Sequence, residues 1–175
     1  FNPCYAGELA SRFKRYFSGK IFVGFKTLSG YWRVKIDDPR YRPMWEYADR
    51  HRLPILNHTW GRDEILLLKD VVGKYPDAQF LLGHSGGSSE GIAESAELAR
   101  KNPNVHLEFC GSFVNTSSWE ETLGRMDHRQ VVFGTDAMVH DFNWEIGRLL
   151  SIDVPDNILA DILGKNMRRI LALRK

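Results

Sequence analysis

The chain has 175 residues, of which 43% are hydrophobic and 26% charged, an ordinary composition for a globular protein with a hydrophobic core. Its net charge of +2 gives no electrostatic reason to expect a nucleic-acid or anionic-membrane partner. No apolar run approaches the ~18 residues of a membrane span, and Cys4 and Cys110 are too few for a disulfide framework, so we expect a cytoplasmic protein.

Helix-like and strand-like segments alternate along the chain. In order, they are predicted to be a helix over 7–17, a strand over 21–28, a helix over 39–51, a strand over 53–60, a helix over 63–75, a strand over 79–86, a helix over 89–102, a strand over 105–112, a helix over 118–126, a strand over 130–137 and helices over 144–150 and 155–173. Without a linker or low-complexity segment, residues 1–175 are expected to form one domain.

Strict alternation of strands and helices predicts an α/β fold with a parallel sheet. The strands are almost continuously apolar, as in sheets that are covered on both faces. An open doubly wound sheet and a (β/α) barrel both fit this pattern, and composition does not choose between them.

Each predicted strand is apolar until its carboxyl-terminal end, where a polar side chain appears. These side chains are Lys26, His58, His84, Glu108 with Cys110, and Asp136. Successive members are about one βα unit apart, and the carboxyl ends of parallel strands form the ligand crevice of α/β folds. The sequence therefore predicts that five strands deliver ionisable groups to one place.

Alternation along each strand predicts which side chains share a face. The expected pairs are His58 with Leu56, His84 with Leu82, and Asp136 with Val132. Each polar group would thus cap an apolar face, where burial without a partner is costly, so we expect the groups to pair with each other, with water or with a metal ion.

Taken singly, each of these residues also has a purely structural explanation. A histidine at a strand end can be a hydrogen-bonded structural residue, and Asp136 can cap the following helix. Lys26 can extend to the rim, and Glu108 can pair with such a lysine. Their coincidence at one level favours a functional site over these separate explanations.

The residue types indicate metal-assisted chemistry. Two imidazoles and a carboxylate suit Zn²⁺ and other divalent first-row metals, and a bound water activated there can attack a carbonyl group. The pair Gly86-Gly87 permits close approach of the backbone to a ligand, although it can equally shape a tight turn.

Competing motifs are absent from the sequence. There is no GxGxxG and no GxxxxGK[ST], so a dinucleotide site and a phosphate loop are unsupported. Cys110 is expected to be a buried, small apolar residue.

Several segments resemble the amidohydrolase-related barrels, in particular the branch similar to aminocarboxymuconate semialdehyde decarboxylase. The segments are GFKTL, LPILNHTW, LLGHSGG, VHLEFCGS and VVFGTDA, together with the C-terminal ILGKNMRRILAL. The resemblance spans nearly the whole chain and implies strands four to eight of a (β/α)₈ barrel with a metal centre.

The same resemblance implies roles for individual residues. His58 would be a metal ligand, and His84 a catalytic histidine or a further metal ligand. Asp136 would bind the metal, with zinc the expected divalent ion, and handle protons of the nucleophilic water. Lys26 would contact the substrate or, alternatively, bridge two metals as a carboxylated lysine.

The sequence departs from the family pattern at its beginning. The family's first metal motif, His-x-His on strand one, is absent, and Phe1-Asn2-Pro3 resembles the end of strand three. We therefore expect either a fragment of a longer protein or a naturally short form. Five strands cannot close a barrel, so we expect an open apolar inner face, two free sheet edges and a homo-oligomer.

Three functions are compatible with the sequence. The first is a metal-dependent hydrolase acting on a small amide, ester or lactone, or a non-oxidative decarboxylase using the same site; Lys26, Arg33 and Arg62 are candidates for binding a substrate carboxylate, although the two arginines fit plain surface charge. The second is a non-catalytic binding or assembly module. The third, a doubly wound domain for a phosphorylated ligand, lacks a phosphate loop.

Overall fold

The computed structural model describes residues 1–19, 21–111 and 116–175. Its strands are β1 (Phe25–Thr27), β2 (Pro54–Trp60), β3 (Gln79–Gly86), β4 (Val105–Phe109) and β5 (Val131–Phe133). Its helices are α1 (Ala6–Ser11), α2 (Phe13–Ser18), α3 (Ser29–Trp32), α4 (Arg42–His51), α5 (Arg62–Lys74), α6 (Ser89–Lys101), α7 (Thr116–Leu123), α8 (Phe142–Leu150), α9 (Asp156–Ala160) and α10 (Asn166–Ala172). Within these ranges no helix has both the length and the apolarity that crossing a membrane requires.

The five strands are parallel, and their order in the sheet is their order in the sequence. A doubly wound sheet reverses its strand order at a switch point, whereas in a (β/α) barrel each strand lies beside the preceding one. The sequential order therefore decides between the two architectures that the sequence left open. The fold is part of a TIM-type (β/α)₈ barrel.

One face of the sheet packs against the helices and forms the main core. Its fully buried strand residues include Ile55, Phe80, Leu82, Leu107 and Val131. Each large aliphatic or aromatic side chain that leaves water here contributes roughly 1.5–3 kcal/mol. This outer face anchors the strands whose carboxyl ends carry the polar residues.

The opposite, inner face is covered at its centre by the C-terminal helix. Leu81 and Val132 are buried against Ile170 of α10, and Leu56 and Met167 pack beside them. The expectation of an open apolar inner face was therefore wrong for this part of the sheet. The physical reason is that α10 carries its own apolar side chains under the strands and removes that surface from water.

The first strand is shorter than the predicted strand over 21–28. Phe22 packs against Tyr16 and Phe17 of α2, with ring centroids 5.4 and 6.4 Å apart, and Ile21 is exposed. Residues 21–23 therefore follow the helix rather than the sheet, although their apolar side chains gave them a strand-like pattern.

The last strand is also shorter than the predicted range of 130–137. The chain leaves the sheet at Gly134, where a side chain would collide with the carboxylate of Glu108, and Asp136 takes the left-handed conformation with φ of 48°. The predicted strand over 105–112 ends in the structure at Phe109, and Ser112 lies outside the described residues.

The predicted helix over 155–173 is interrupted by a π-helical turn at Asp161–Lys165, between α9 and α10. Asn166 follows this turn and is wholly buried. Its amide donates hydrogen bonds to the carbonyl groups of His128 and Val131, at 2.9 and 2.7 Å. The C-terminal helix is thus attached to the amino-terminal end of β5.

Candidate functional site

The carboxyl edge of the sheet brings the predicted site residues together. The rings of His58 on β2 and His84 on β3 have centroids 4.9 Å apart. Asp136, in the loop after β5, places Oδ2 4.0 Å from Nε2 of His84. The ammonium group of Lys26 on β1 is close enough to lower the pKa of both imidazoles. His58, His84 and Asp136 therefore surround one space, and the charge of Lys26 acts on its two imidazoles.

His84 reaches this space by a route that strand alternation did not predict. Leu82 points to the helix-packed face, and strict alternation would place His84 there too. Instead His84 has φ of 63° and begins a run of left-handed residues with Ser85, Gly86 and Gly87. This backbone turn brings the imidazole to the inner face beside His58, so the prediction that His84 shares a face with Leu82 was wrong.

The two glycines in this run shape a tight turn. A side chain at Gly86 would collide with the backbone of Gly91 in α6, and one at Gly87 would collide with the ring of Trp60. Ser85 is held by donating a hydrogen bond to the carbonyl of Glu108, at 3.0 Å. Strained conformations of this kind persist only where surrounding contacts hold them, and they are common at functional sites.

Glu108 and Cys110, on and after β4, contact His84 directly. Oε2 of Glu108 accepts the backbone N–H of His84 at 3.2 Å and the thiol of Cys110 at 2.8 Å, and Cys110 Sγ lies 3.2 Å from His84 Nδ1. Cys110 is buried as expected, but its thiol has two polar partners and is not the plain apolar residue that the sequence predicted.

His140 also belongs to the site and was missed by the sequence analysis. Its Nε2 lies 3.9 Å from Oδ2 of Asp136, so this carboxylate oxygen lies between two imidazoles. The chain turns back at this point, because the carbonyl of Asp136 accepts the N–H groups of Val139 and His140, both at 3.1 Å. The spacing Asp-x-x-x-His after the last strand was the available signal.

A family model described as Amidohydrolase matches residues 3–173. The chain belongs to the amidohydrolase family. This match covers nearly the whole sequence and agrees with the barrel topology of the sheet. No curated protein sequence matches the chain.

Solved structures support the same fold for this amidohydrolase chain. A 5-carboxyvanillate decarboxylase from Sphingomonas paucimobilis superposes with a TM-score of 0.78 at 14% identity, covering 98% of this chain and 65% of that one. A dihydroxybenzoic acid decarboxylase from Polaromonas sp., with bound manganese and the inhibitor 2-nitroresorcinol, gives 0.77 at 16% identity, covering 96% and 66%. A 4-oxalomesaconate hydratase from Rhodopseudomonas palustris superposes with a TM-score of 0.65 at 14% sequence identity. The match covers 98% of this chain and 61% of the hydratase.

These likenesses agree with the branch that the sequence resembles. The solved structures that share this fold include decarboxylases of aromatic acids, and one of them holds manganese.

Burial sets the protonation state of the two central imidazoles of this amidohydrolase site. It lowers the pKa of His84 to about 4, with His58 as the next contributor. Burial also lowers the pKa of His58, and the nearby Lys26 ammonium adds to the effect. Both rings are therefore neutral at pH 7, and each offers one nitrogen lone pair to a proton or a metal ion.

Burial also shifts the pKa values of the acid and the thiol that lie behind His84. Burial raises the pKa of the Glu108 carboxyl group, although the hydrogen bonds from Cys110 and from the His84 N–H oppose the shift. Burial and the neighbouring Glu108 raise the pKa of the Cys110 thiol, which therefore stays protonated and can donate.

The donor set fits a divalent ion in kind. Two ligands at about 2.0–2.2 Å from a tetrahedral ion lie about 3.3–3.6 Å apart, and the nitrogen–oxygen distances around Asp136 are longer, at 3.9 and 4.0 Å. Among residues 1–19, 21–111 and 116–175, however, no group of three or more His, Cys, Asp or Glu side chains is arranged to hold a metal. The described residues therefore present pairs of donors and not an assembled three-ligand site.

Proposed function

We propose that this chain carries part of the active site of a metal-dependent hydrolase that acts on a small amide, ester or lactone. The observation that carries the proposal is the meeting of two neutral imidazoles and the Asp136 carboxylate at the carboxyl edge of the barrel strands. In barrels of this type, catalytic residues come from the carboxyl ends of several strands.

His58 and Asp136 are proposed to hold the ion, with zinc the first candidate, and His84 to act as a further ligand or as a proton acceptor. A divalent ion held there would act as a Lewis acid and would lower the pKa of a bound water towards ~7. Asp136 would accept the proton of the attacking water; its Oδ2 lies 4.0 and 3.9 Å from the Nε2 atoms of His84 and His140.

Lys26 is proposed to bind an anionic group of the substrate. It is the lysine whose charge reaches both His58 and His84. Arg62 is a weaker candidate, because it pairs with Glu94 at 3.0 Å on the outer surface. A carboxylate held by Lys26 would lie on the side of the site away from Asp136.

A second function, non-oxidative decarboxylation, is supported by a separate observation. Two of the similar structures are decarboxylases of aromatic acids, and aromatic rings flank His58 in this chain, with Tyr31 at 5.3 Å and Trp60 stacked at 6.4 Å between centroids. A planar aryl carboxylate could lie among these rings with its carboxylate towards Lys26. Departure of carbon dioxide would leave the electron pair of the broken bond on the ring carbon, and a proton taken from water by His84 or Asp136 would then be passed to that carbon.

The replacement Asp136→Asn tests both functions. We expect it to lower turnover by at least about a hundredfold, because a carboxamide cannot accept the proton and is a poorer metal ligand. Asp70→Asn, on the exposed face of α5, is the matched control and should leave turnover unchanged. Unchanged turnover in Asp136→Asn would remove Asp136 from the mechanism.

Isotopes separate the two reactions. In ¹⁸O-labelled water a hydrolase places labelled oxygen in the acid product, whereas in heavy water a decarboxylase places deuterium on the carbon that loses carbon dioxide. Chelation should abolish either activity, and Mn²⁺ or Zn²⁺ should restore it. A preparation that lacks both activities and retains no metal would favour the non-catalytic binding module.

A further inference from the structure

Behind His84 lies a small hydrogen-bonded group that is separate from the residues proposed to meet the metal. It consists of Glu108, which is 8% exposed, and Cys110, which is 5% exposed. Both side chains lie on the inner side of β4, facing His84 across the sheet. Oε2 of Glu108 and the sulfur of Cys110 both contact His84.

Glu108 acts on the backbone of His84. Its Oε2 accepts the His84 N–H at 3.2 Å, and this amide belongs to the left-handed residue that turns the ring to the inner face. Gly134 makes the arrangement possible, because any side chain there would occupy the position of the Glu108 carboxylate. The carboxylate therefore holds the amide of a residue whose backbone conformation persists only where surrounding contacts support it.

Cys110 acts on the ring. Its single thiol hydrogen is donated to Oε2 of Glu108 at 2.8 Å, so the sulfur presents only lone pairs to Nδ1 of His84, 3.2 Å away. A lone pair attracts a hydrogen, which places the imidazole proton on Nδ1 and leaves the lone pair on Nε2. Nε2 is the atom that faces Asp136.

We propose that Glu108 and Cys110 are positioning residues that select both the backbone conformation and the tautomer of His84. Glu108 orients the thiol, the thiol fixes the proton on Nδ1, and the free lone pair of Nε2 is directed into the site. The use of that lone pair, as metal ligand or proton acceptor, rests on the proposed function. The direction of the lone pair and the tautomer of the His84 ring do not.

The tautomer can be measured without substrate, by long-range ¹H–¹⁵N correlation spectra of protein labelled at histidine nitrogen and recorded at neutral pH. A His84→Gln variant identifies the signals of His84 by their loss. In the unmodified chain we expect a protonated Nδ1 and an unprotonated Nε2, with or without added Zn²⁺. Finding the proton on Nε2 would overturn the proposal, and this outcome needs no variant that could misfold.

Three substitutions then test the role of Cys110. Cys110→Ser keeps one donor hydrogen and lone pairs, so we expect the Nδ1–H tautomer to persist. Cys110→Ala removes the acceptor, so we expect the proton to redistribute to Nε2, while Cys4→Ala, at the exposed cysteine, should change nothing. An unchanged tautomer in a folded Cys110→Ala protein would overturn the proposal.

The tautomer measurement can contradict the positioning proposal without contradicting the proposed function, and the turnover measurement can do the reverse. If the Nδ1–H tautomer depends on Cys110 but Asp136→Asn retains full turnover, the positioning holds and the assigned chemistry is wrong. If Asp136→Asn is inactive but the His84 tautomer is unchanged by Cys110→Ala, the proposed role of Asp136 is supported and the positioning role of Cys110 is contradicted.

Discussion

At the scale of single residues, the backbone angle φ of His84 overrides the alternation of side chains along its strand. His58 follows the alternation of its strand and points inward with Leu56, whereas His84 points inward only because its φ is 63°. A left-handed residue at a strand end is costly unless neighbouring atoms hold it. Here those atoms belong to Glu108, which is 24 residues away in sequence.

His106 provides a test of how burial governs stability. Its ring is buried on the inner face, and Nε2 contacts Oε1 of Gln79 at 3.1 Å. Burial, with a further contribution from Arg169, lowers its pKa to about 4 from the ordinary value of 6.5. Between these two pH values the unfolded chain binds a proton that the folded chain does not, so the free energy of unfolding falls as the pH falls.

We therefore expect His106→Gln, which keeps an N–H donor for Gln79, to reduce the pH dependence of stability. Between pH 7 and pH 5 the variant should lose about 2 kcal/mol less unfolding free energy than the unmodified chain, since one pKa unit corresponds to about 1.4 kcal/mol. Urea unfolding at both pH values measures the difference. Parallel losses in the two proteins would show that His106 does not govern this pH range.

At the scale of elements, the irregular C-terminal helix is explained by what it must contact. The π-helical turn at Asp161–Lys165 changes the direction in which Asn166 and the residues of α10 face. Asn166 can then reach two carbonyl groups near β5, and Ile170 can reach Leu81 and Val132 on the inner face. In a regular helix over 155–173, as the sequence predicted, the directions of Asn166 and Ile170 would be fixed relative to α9. The contacts of these two residues could then not be adjusted separately.

We expect Asn166→Ala to lower the free energy of unfolding by weakening this attachment. The substitution removes the side-chain donor from the carbonyl groups of Val131 and His128, the second of which keeps the N–H of Val131, and a buried polar group that loses its partner costs about 1–3 kcal/mol. We expect a loss of roughly 2–4 kcal/mol in unfolding free energy, measured by urea denaturation. Asn157→Ala, at an exposed position of α9, is the matched control and should cost less than about 1 kcal/mol.

At the scale of the whole molecule, the C-terminal helix joins distant parts of the described chain. It covers the centre of the inner face, and the N–H of Lys175 reaches the carbonyl of His51 at the end of α4. In the described part of the chain, β1 and β5 each pair with one strand only. Unpaired strand edges remain a route to association even though the apolar face is largely covered.

We therefore still predict an oligomer, through the strand edges rather than through the inner face. Light scattering should give a mass that is a multiple of 20.2 kDa and that falls on dilution. A monodisperse species of 20.2 kDa across the dilution series would contradict the prediction.

The sequence by itself determined the alternating α/β pattern, the parallel strands and the positions of His58 and His84 near strand ends, with Asp136 shortly after the last strand, because these depend on local periodicity and on one general rule about parallel sheets. Only the tertiary structure decided that the strands run in sequential order, that His140 joins Asp136, and that Glu108 and Cys110 hold His84. These features depend on contacts between residues far apart in sequence and on backbone angles that neighbouring elements impose, and no local pattern encodes either of them.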